Sequence, residues 1–466
     1  MRSIKIQMTV MLLMLATTLW AQSAYDYIVR SRNFSASNYS VYPDSIGHQQ
    51  TPPPADKHPF YLSHYGRHGS RYLNNRTGYD TPYRMLCKAD SMGQLTALGK
   101  SVKQLLQQII SDSEERWGDL SDIGKQQLRH IASRMIENYP EIFKGQSNVQ
   151  VRSTTVNRCV MSMGTTVQQL IAINPQLHID MNASKRDSWY LNYQDAQLRD
   201  SMKSMTATRA YDAFTKPREE NPRLMEMLFT HPESLDKSIS ERWLNYYLLK
   251  TALIQQNTHT EFSTLLIDLF SDEDIYRFWL IENAWWYIQH GGSLLNGGHQ
   301  PYTQRYLLRK IIAEADSCIH LKNPGAQLRF GHETVMLPLA CLLELRITNY
   351  EVHSPQVGIR NSEFKKGFDF QTRNLEDLES NGWWAGLIFP MASNFQFVFY
   401  RKDKSDNDVI FKVLLNEQEV TLPIESDIAP YYHWRDFRRY FLRKLDDYEK
   451  ERLQRHTLTK DQRNSQ

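Results

Sequence analysis

The chain is poor in cysteine: its 466 residues contain four, at Cys87, Cys159, Cys318 and Cys341. Four thiols in a chain of this length do not form a disulfide scaffold, although export would permit disulfides and three pairings are possible. Cys341 lies in the apolar run MLPLACLLEL and has the surroundings of a core residue. We therefore expect these cysteines to be mostly buried thiols.

The sequence also has a single long apolar run, which lies at its start. The residues MRSIKIQMTVMLLMLATTLWAQSA place a basic beginning before an apolar stretch from Met8 to Leu19, followed by the small residue Ala21. This pattern is typical of a cleaved signal peptide, and the stretch is too short to span a bilayer comfortably. We predict a signal peptide over 1–21 and a secreted or periplasmic protein, with a retained anchor as the alternative.

Net charge is nearly absent as well. Without Arg2 and Lys5 the chain keeps 53 basic residues against 52 acidic ones. A chain so close to neutral cannot hold nucleic acid or an anionic membrane through its overall field. We therefore expect no nucleic-acid partner and, after signal cleavage, no membrane partner. A polyanion would have to bind in a local pocket.

Strand and helix patterns follow one another in the order typical of α/β proteins. The segments KHPFYLSHYG, SNVQVRST and AQLRFG each predict a strand that ends at a turn. Thr96 and Ser121 are predicted N-caps of two helices. Further strands are predicted in GWWAGLIFPMASNFQFVFYRK and DVIFKVLLNEQEVTLP, the latter a hairpin around Asn416 and Glu417.

Changes of composition divide the chain. Residues 22–56 are polar and rich in turn formers, which predicts an extended lead-in. Residues 186–300 are rich in Met, Leu, Trp and charge with helical periodicity, which predicts a helical insertion. The core is then expected over 57–185 and 301–446, and a charged tail, frayed or helical, over 447–466.

The segment RHGSR, Arg67 to Arg71, lies where the first predicted strand gives way to a turn, a position that favours an anion. Two guanidinium groups flank His68, and Gly69 lets the backbone approach a ligand. Guanidinium forks match the oxygens of a phosphoryl group, and an imidazole between them is suited to in-line attack on phosphorus. A surface basic cluster with a chance histidine is the alternative.

Two later segments favour the same chemistry. Arg152, at the end of the strand QVRST, is a third guanidinium where α/β folds place ligands, whereas Arg158 is expected to support the following helix or an ion pair. In FGHET, His332 can donate to a phosphoryl oxygen. Glu333 can protonate the leaving alkoxide if its surroundings raise its pKa. The triplet is not a zinc-protease motif, because Met336 stands where a second histidine is needed.

Together these motifs resemble the histidine acid phosphatase branch of the histidine phosphatase superfamily, and within it the multiple inositol polyphosphate phosphatases. The matching segments are YGRHGSRY, LSDIGKQQ, VRST and GHETVMLPL, in the family's order over most of the chain. The resemblance implies an α/β three-layer sandwich with a mostly parallel central sheet and an inserted α-helical cap. It also implies a phosphoric monoester hydrolase, phytase-like, that uses a phosphohistidine and neither a metal nor another cofactor.

The resemblance also assigns roles to single residues. His68 is the residue that carries the phosphoryl group, and phosphate is bound by Arg67, Arg71, Arg152 and His332. The acid departs from the family patterns, because the inositol polyphosphate branch usually carries His-Ala-Glu and the other acid phosphatases His-Asp. Here Glu333 follows His332 directly, and Thr334 stands where the His-Ala-Glu acid would be. How far the Glu333 carboxyl group reaches toward the leaving oxygen, and which phosphate position of the substrate is preferred, stay open.

The sequence therefore predicts a secreted phosphomonoesterase whose partner is a small phosphomonoester, an inositol polyphosphate such as phytate. A broad-specificity histidine acid phosphatase is the alternative, and a non-catalytic phosphoester-binding protein is a second one. The phosphoglycerate mutase branch shares Arg-His-Gly, but it is typically cytosolic and has no large cap. The signal peptide and the segment 186–300 argue against it.

Overall fold

The computed structural model describes residues 23–43, 50–201, 204–258, 266–346, 352–354, 357–359 and 371–464. The predicted signal peptide, residues 1–21, lies outside these ranges. Within them, no helix combines the length and the apolar character that crossing a membrane requires.

Strands and helices alternate along the first part of the chain, and a long helical stretch follows. The strands are β1 (His58–Arg67), β2 (Asn148–Ser153), β3 (His178–Ala183), β4 (Gly325–Gly331), β5 (Val352–Ser354), β6 (Val357–Ile359), β7 (Asn394–Arg401), β8 (Ile410–Leu415), β9 (Gln418–Val420) and β10 (Tyr432–His433). The helices of the first part are α1 (Ala24–Arg30), α2 (Thr77–Ser91), α3 (Ala97–Ser113), α4 (Asp122–Asn138) and α5 (Asn157–Ile173). The later helices are α6 (Ser188–Leu191), α7 (Ala196–Ser201), α8 (Met205–Thr215), α9 (Pro222–Leu228), α10 (Glu241–Ile254), α11 (Asp272–His290), α12 (Arg305–Ile319), α13 (Glu333–Leu342) and α14 (Trp434–Asn464).

The central sheet has the strand order β10-β8-β7-β1-β4-β2-β3, with β9 beside β8. Strands β1, β4, β2 and β3 run parallel, whereas β7 pairs antiparallel with β1 and begins the antiparallel half. Strands β5 and β6 form a separate hairpin. The predicted α/β class is confirmed, and the parallel half of the sheet carries the motifs of the candidate site.

Side chains alternate between two hydrophobic clusters on the two faces of the sheet. Tyr61 and Tyr65 of β1 and Phe397 of β7 belong to one cluster, whereas Leu62 and Val398 belong to the other. Helices α12, α13 and α14 contribute to the first cluster, and α4 and α5 to the second. Because both faces are covered by helices, the sheet is the middle layer of three.

Several local predictions are confirmed. The side chains of Thr96 and Ser121 cap α3 and α4. Asn416 and Glu417 take the left-handed conformation, with φ of 51° and 65°, in the tight turn between β8 and β9. The strand predicted over GWWAGLIFPMASNFQFVFYRK begins only at Asn394, because the residues before it form turns.

The extended lead-in predicted over 22–56 is wrong for its first part. Ala24–Arg30 is helical and Arg32–Tyr39 forms 3₁₀ turns. Ala24, Tyr27 and Ile28 are spaced as one face of a helix, and all three are buried in the core. This apolar face is short and lies among polar residues, so the helical periodicity is not evident in the sequence.

The stretch 186–300 is helical in the parts that the structure describes, as the sequence predicts, and contains α6 to α11. Leu244 of α10 and Trp279 of α11 share a hydrophobic cluster with α12 and α13, so the insertion packs directly on the core. Helix α14 continues to Asn464, so the predicted C-terminal tail is helical rather than frayed. The four cysteines, all within the described residues, form no disulfide with one another, and three of them are buried.

Candidate active site

RHGSR begins at the carboxyl end of β1, next to the carboxyl end of β4. Arg67 is paired with Gly331 across these parallel strands, and the amide of His68 donates to the Gly331 carbonyl at 3.1 Å. His332 and Glu333 follow Gly331 directly. The two motifs therefore meet at the carboxyl edge of the sheet, where α/β folds place ligands.

The LSDIGKQQ segment holds the RHGSR turn in place. The amide of Ser70 donates to Oε1 of Gln127 at 3.0 Å, and the Ser70 carbonyl accepts from the amide and the hydroxyl of Ser121. A Cβ on Gly69 would lie 2.6 Å from the carbonyl oxygen of Gly124, so this approach requires glycine. The first turn of α4 thus positions the turn that carries His68.

A buried asparagine ties the same turn to the N-terminal segment. Ser70 Oγ donates to Oδ1 of Asn257 at 2.7 Å, and Nδ2 of Asn257 donates to the Tyr39 carbonyl at 2.6 Å. Asn257 is fully buried and follows α10. The RHGSR turn, the helical insertion and the N-terminal segment therefore share one hydrogen-bond chain.

His68 is fully buried and has a defined tautomer. Its Nδ1 lies 2.9 Å from the Gly69 carbonyl, which can only accept, so Nδ1 carries the proton. Burial, together with the charges of Arg67 and Arg158, holds the pKa of His68 well below 6.5 despite nearby Glu333. Nε2 therefore has a free lone pair and, among the described residues, no hydrogen-bond donor.

Arg67 and Arg71 flank this lone pair. Nη1 of Arg67 donates to the Phe389 carbonyl at 2.6 Å, and Nη1 of Arg71 donates to the Tyr72 carbonyl at 2.8 Å. Nη2 of Arg67 and Nε of Arg71 are buried without an acceptor in the described part of the chain. Burial lowers the pKa of Arg67 to about 10, so the guanidinium stays charged at neutral pH.

Arg158 belongs to the same cluster, although the sequence predicts that it supports the helix or an ion pair. Its charge lowers the pKa of Arg67, His68 and His332, and its own pKa is lowered by burial and by Arg71. Its Nε is buried and has no partner among the residues described. The useful signal is its place at the start of α5, directly after β2 ends at the same edge of the sheet.

Arg152 does not reach this cluster, which corrects the sequence prediction. Nη2 of Arg152 lies 2.6 Å from Oδ2 of Asp180, and Nη1 donates to the carbonyls of Asp180 and Val151. Asp180 lies on β3, the neighbouring strand at the sheet edge. The side chain therefore runs across the sheet to β3, while the following helix brings Arg158 to the site.

His332 completes the polar wall beside His68. Its Nε2 lies 3.2 Å from Oγ1 of Thr154, and its ring centroid is 5.9 Å from that of His68. Burial lowers the pKa of His332 to about 4, so it is neutral at neutral pH. Sγ of Cys159 donates to the Gly331 carbonyl and lies 3.8 Å from both His332 nitrogens.

Glu333 lies inside the arginine cluster. Its Oε2 is 3.2 Å from Nε of Arg67 and 3.3 Å from Nε2 of His68, and its Oε1 is 3.7 Å from Nη2 of Arg71. Burial alone would raise its pKa, but the charges of Arg67 and Arg71 hold the pKa of Glu333 well below 4.5. The condition that the sequence sets for an acid role, a raised pKa, is therefore not met in this state, because the carboxylate lies among the guanidinium groups.

A metal ion is geometrically conceivable at this position. The ligand atoms of His68, His332 and Glu333 lie within 4.8 Å of one another. The charged guanidinium groups of Arg67 and Arg71 face the same space and repel a cation there. The donor set fits an anion better than a metal.

A cavity of about 500 Å³ opens next to this cluster. Arg71, Glu333 and Thr334 form one side of it, and Tyr39 lies on the N-terminal side. The remaining wall comes from α8, α10 and α11 and is rich in tyrosine, tryptophan and arginine. Its size is that of a pocket for a small molecule.

No family model matches the sequence. Multiple inositol polyphosphate phosphatase 1 of Gallus gallus is 20% identical over 340 residues, which cover 68% of this chain and 70% of that protein.

Solved structures extend the comparison to the fold. Multiple inositol polyphosphate phosphatase of Bifidobacterium longum, in complex with inositol hexasulfate, superposes with a TM-score of 0.70 at 16% identity, covering 86% of this chain and 96% of the other. The phytase of D. castellii superposes with a TM-score of 0.56 at 13% identity, covering 89% of this chain and 85% of the phytase chain. The chain therefore has the fold of the histidine acid phosphatases, the family that its motifs resemble.

Proposed function

We propose that this protein is a phosphomonoesterase that transfers a phosphoryl group from its substrate to His68 and then to water. The observation that carries the proposal is the unprotonated Nε2 of His68, buried beside Arg67, Arg71 and Arg158. Each of these guanidinium groups has a buried N–H without an acceptor among the described residues. Buried donors of this kind call for an anion with several oxygens, and a phosphoryl group supplies them.

The first step forms the phosphohistidine. A substrate phosphate displaces the Glu333 carboxylate from the arginines, and the Nε2 lone pair of His68 attacks phosphorus. The N–P bond forms while the bond to the ester oxygen breaks, and the arginines stabilise the charge on the equatorial oxygens. Once the phosphate neutralises the arginines, the pKa of Glu333 rises and the carboxylate takes up a proton from solvent. This proton then passes to the leaving alkoxide.

The second step releases phosphate. Water attacks the phosphorus on the side opposite Nε2 and gives its proton to the Glu333 carboxylate. The N–P bond breaks, its electron pair returns to His68, and inorganic phosphate leaves. When phosphate has left, Glu333 pairs with the arginines again and releases its proton to solvent, so His68 and Glu333 return to their starting states.

We propose inositol polyphosphates such as phytate as the substrate class. Two of the similar proteins are multiple inositol polyphosphate phosphatases, and one of these binds inositol hexasulfate in its crystal structure. The cavity of about 500 Å³ has room for a compact ring compound. The proposal extends to a secreted or periplasmic location, supported by the signal-peptide pattern over 1–21.

The test is the release of phosphate from phytate by the purified protein, with p-nitrophenyl phosphate as a second substrate. His68→Ala is the control for contaminating phosphatase. A rapid quench with labelled substrate should trap phosphate in an acid-labile, base-stable form on the wild type only. The absence of phosphate release from either substrate would refute the proposal, and activity on the aryl ester alone would refute the substrate class.

A further inference from the structure

We infer that Lys250 is a specificity residue that receives a second phosphate group of the substrate, at a distance from the one under attack. Lys250 lies on α10 and lines the same cavity as Arg71 and Glu333. The inference rests on the proposed function, and it adds that a good substrate carries at least two phosphate groups on a compact scaffold.

The other cations of the cavity wall are paired with carboxylates. Nη2 of Arg218 lies 2.8 Å from Glu376, Nε of Arg242 lies 3.0 Å from Glu219, and Nη2 of Arg277 lies 2.5 Å from Asp274. These pairs neutralise much of the charge that the wall carries. An anionic substrate that takes a hydrogen bond from one of these arginines also meets the negative charge of its paired carboxylate.

Lys250 differs, because no carboxylate among the described residues lies within salt-bridge distance of it. Its Nζ donates to the hydroxyl of Tyr246 at 3.1 Å and lies over the rings of Tyr246 and Tyr39. An ammonium group has three N–H donors, so two remain for a ligand. The hydroxyl of Tyr246 in turn donates to Oε1 of Glu282 at 3.4 Å, so this hydroxyl lies between the ammonium group and that carboxyl group, whose pKa burial raises.

The ammonium group also remains charged. Burial by itself lowers the pKa of Lys250, but the effects of Tyr39, Tyr246 and Glu282 outweigh it and hold the pKa above 10.5. Lys250 is thus a cation held by aromatic faces and a hydroxyl, all of which leave room for an oxyanion.

Tyr39 sets the distance between this cation and the proposed reaction centre. The guanidinium of Arg71 and the ammonium of Lys250 each lie 5.7 Å from the Tyr39 ring centroid. At most about 11 Å, twice that distance, therefore separates the two charges. A six-membered ring with phosphates on different carbons can therefore reach both cations.

The test is calorimetric binding of two anions that do not turn over: inositol hexasulfate, and inorganic phosphate as the single-group probe. Lys250→Gln should weaken hexasulfate binding at least about tenfold and change phosphate binding less than about twofold, since it removes one charge-assisted contact to the second group only. Lys250→Met keeps the apolar stem between the two rings and should give the same result. Lys237→Gln, an equal charge change at an exposed position of the same insertion, is the matched control.

Equal weakening of both anions, no weakening of either, or the same effect in Lys237→Gln would overturn the inference. So would a wild-type protein that binds hexasulfate no better than phosphate. Because neither probe is hydrolysed, these outcomes are independent of catalysis. A protein that releases no phosphate from phytate refutes the proposed function, while the binding data still decide the role of Lys250.

Discussion

Replacing Glu333 by Gln should strengthen the binding of simple anions while it slows turnover. In the structure the Glu333 carboxylate lies 3.2 Å from Nε of Arg67 and 3.7 Å from Nη2 of Arg71, in the place that we assign to the substrate phosphate. An incoming anion must therefore displace this carboxylate first. Gln has the same shape without the charge, so it competes for the arginines far less.

The expected magnitude follows from the buried ion pair. Glu333 is 8% exposed and its partners Arg67 and Arg71 are 0% and 1% exposed, so solvent screens the pairing little. Breaking one partner of a buried, hydrogen-bonded charge pair costs about 2–5 kcal/mol, and each 1.4 kcal/mol is about tenfold in affinity. Because the amide still fills the space, we expect sulfate to bind Glu333→Gln at least about tenfold more tightly than the wild type.

The sign of the pH dependence distinguishes this account from a simple steric one. The pKa of Glu333 is held well below 4.5 in the free protein and rises when an anion takes over the arginines. Sulfate binding therefore takes up a proton between these two values, and wild-type affinity should fall as the pH rises through that window. Glu333→Gln should lose this part of the dependence. His332 titrates in both proteins, so the difference between the two slopes is the quantity to compare.

Sulfate titrations by calorimetry between pH 4 and pH 8, with sulfate a dianion throughout, measure both effects. Turnover gives a third readout, since phosphorylation by phytate should slow by roughly 10²–10⁴-fold without a general acid. Phosphorylation by p-nitrophenyl phosphate should slow far less, because nitrophenol is a better leaving group. If Glu333→Gln binds sulfate no more tightly than the wild type, the carboxylate does not occupy the anion site. Equal, small losses of rate on both substrates would refute its role as the acid.

The other predictions concern the arginines, the nucleophile and the support of the RHGSR turn. Arg158→Lys should lower kcat/KM on p-nitrophenyl phosphate by about 2–4 kcal/mol in activation free energy, whereas Arg152→Lys should change kcat/KM less than about threefold. The reverse order would show that Arg152, and not Arg158, is the third arginine of the site. His68→Ala should abolish turnover and the acid-labile label while anion binding persists, and near wild-type turnover would disprove the nucleophile. Thermal unfolding of Ser70→Ala, Asn257→Ala and the double variant should give a coupling free energy of about 0.5–3 kcal/mol, and strict additivity would refute the hydrogen-bond chain.

Much of the fold could be predicted because the local sequence patterns agree with the secondary structure that the folded protein adopts. The strand that ends in Gly66 and Arg67, the capped starts of α3 and α4, and the hairpin at Asn416 are all fixed by side-chain periodicity or by turn chemistry. The N-terminal helix α1 was not predicted, because its apolar face is only one turn long. Its stability comes from packing on the core, which a sequence does not display.

The sequence predicted most of the residues that form the candidate site, but it predicted less well where their side chains lie. A strand pattern locates the backbone of Arg152, but Asp180 on the neighbouring edge strand β3 gives its side chain a carboxylate partner outside the site. Arg158 depends on the direction of α5, which only the packed structure fixes. The protonation state of Glu333 could not be predicted from its neighbours in the sequence either. Its pKa is set by Arg67 and Arg71, which are more than 260 residues away along the chain. Side chains this far apart in the chain determine whether that carboxyl group is an acid or an anion, and the presence of substrate phosphate then switches it from one to the other.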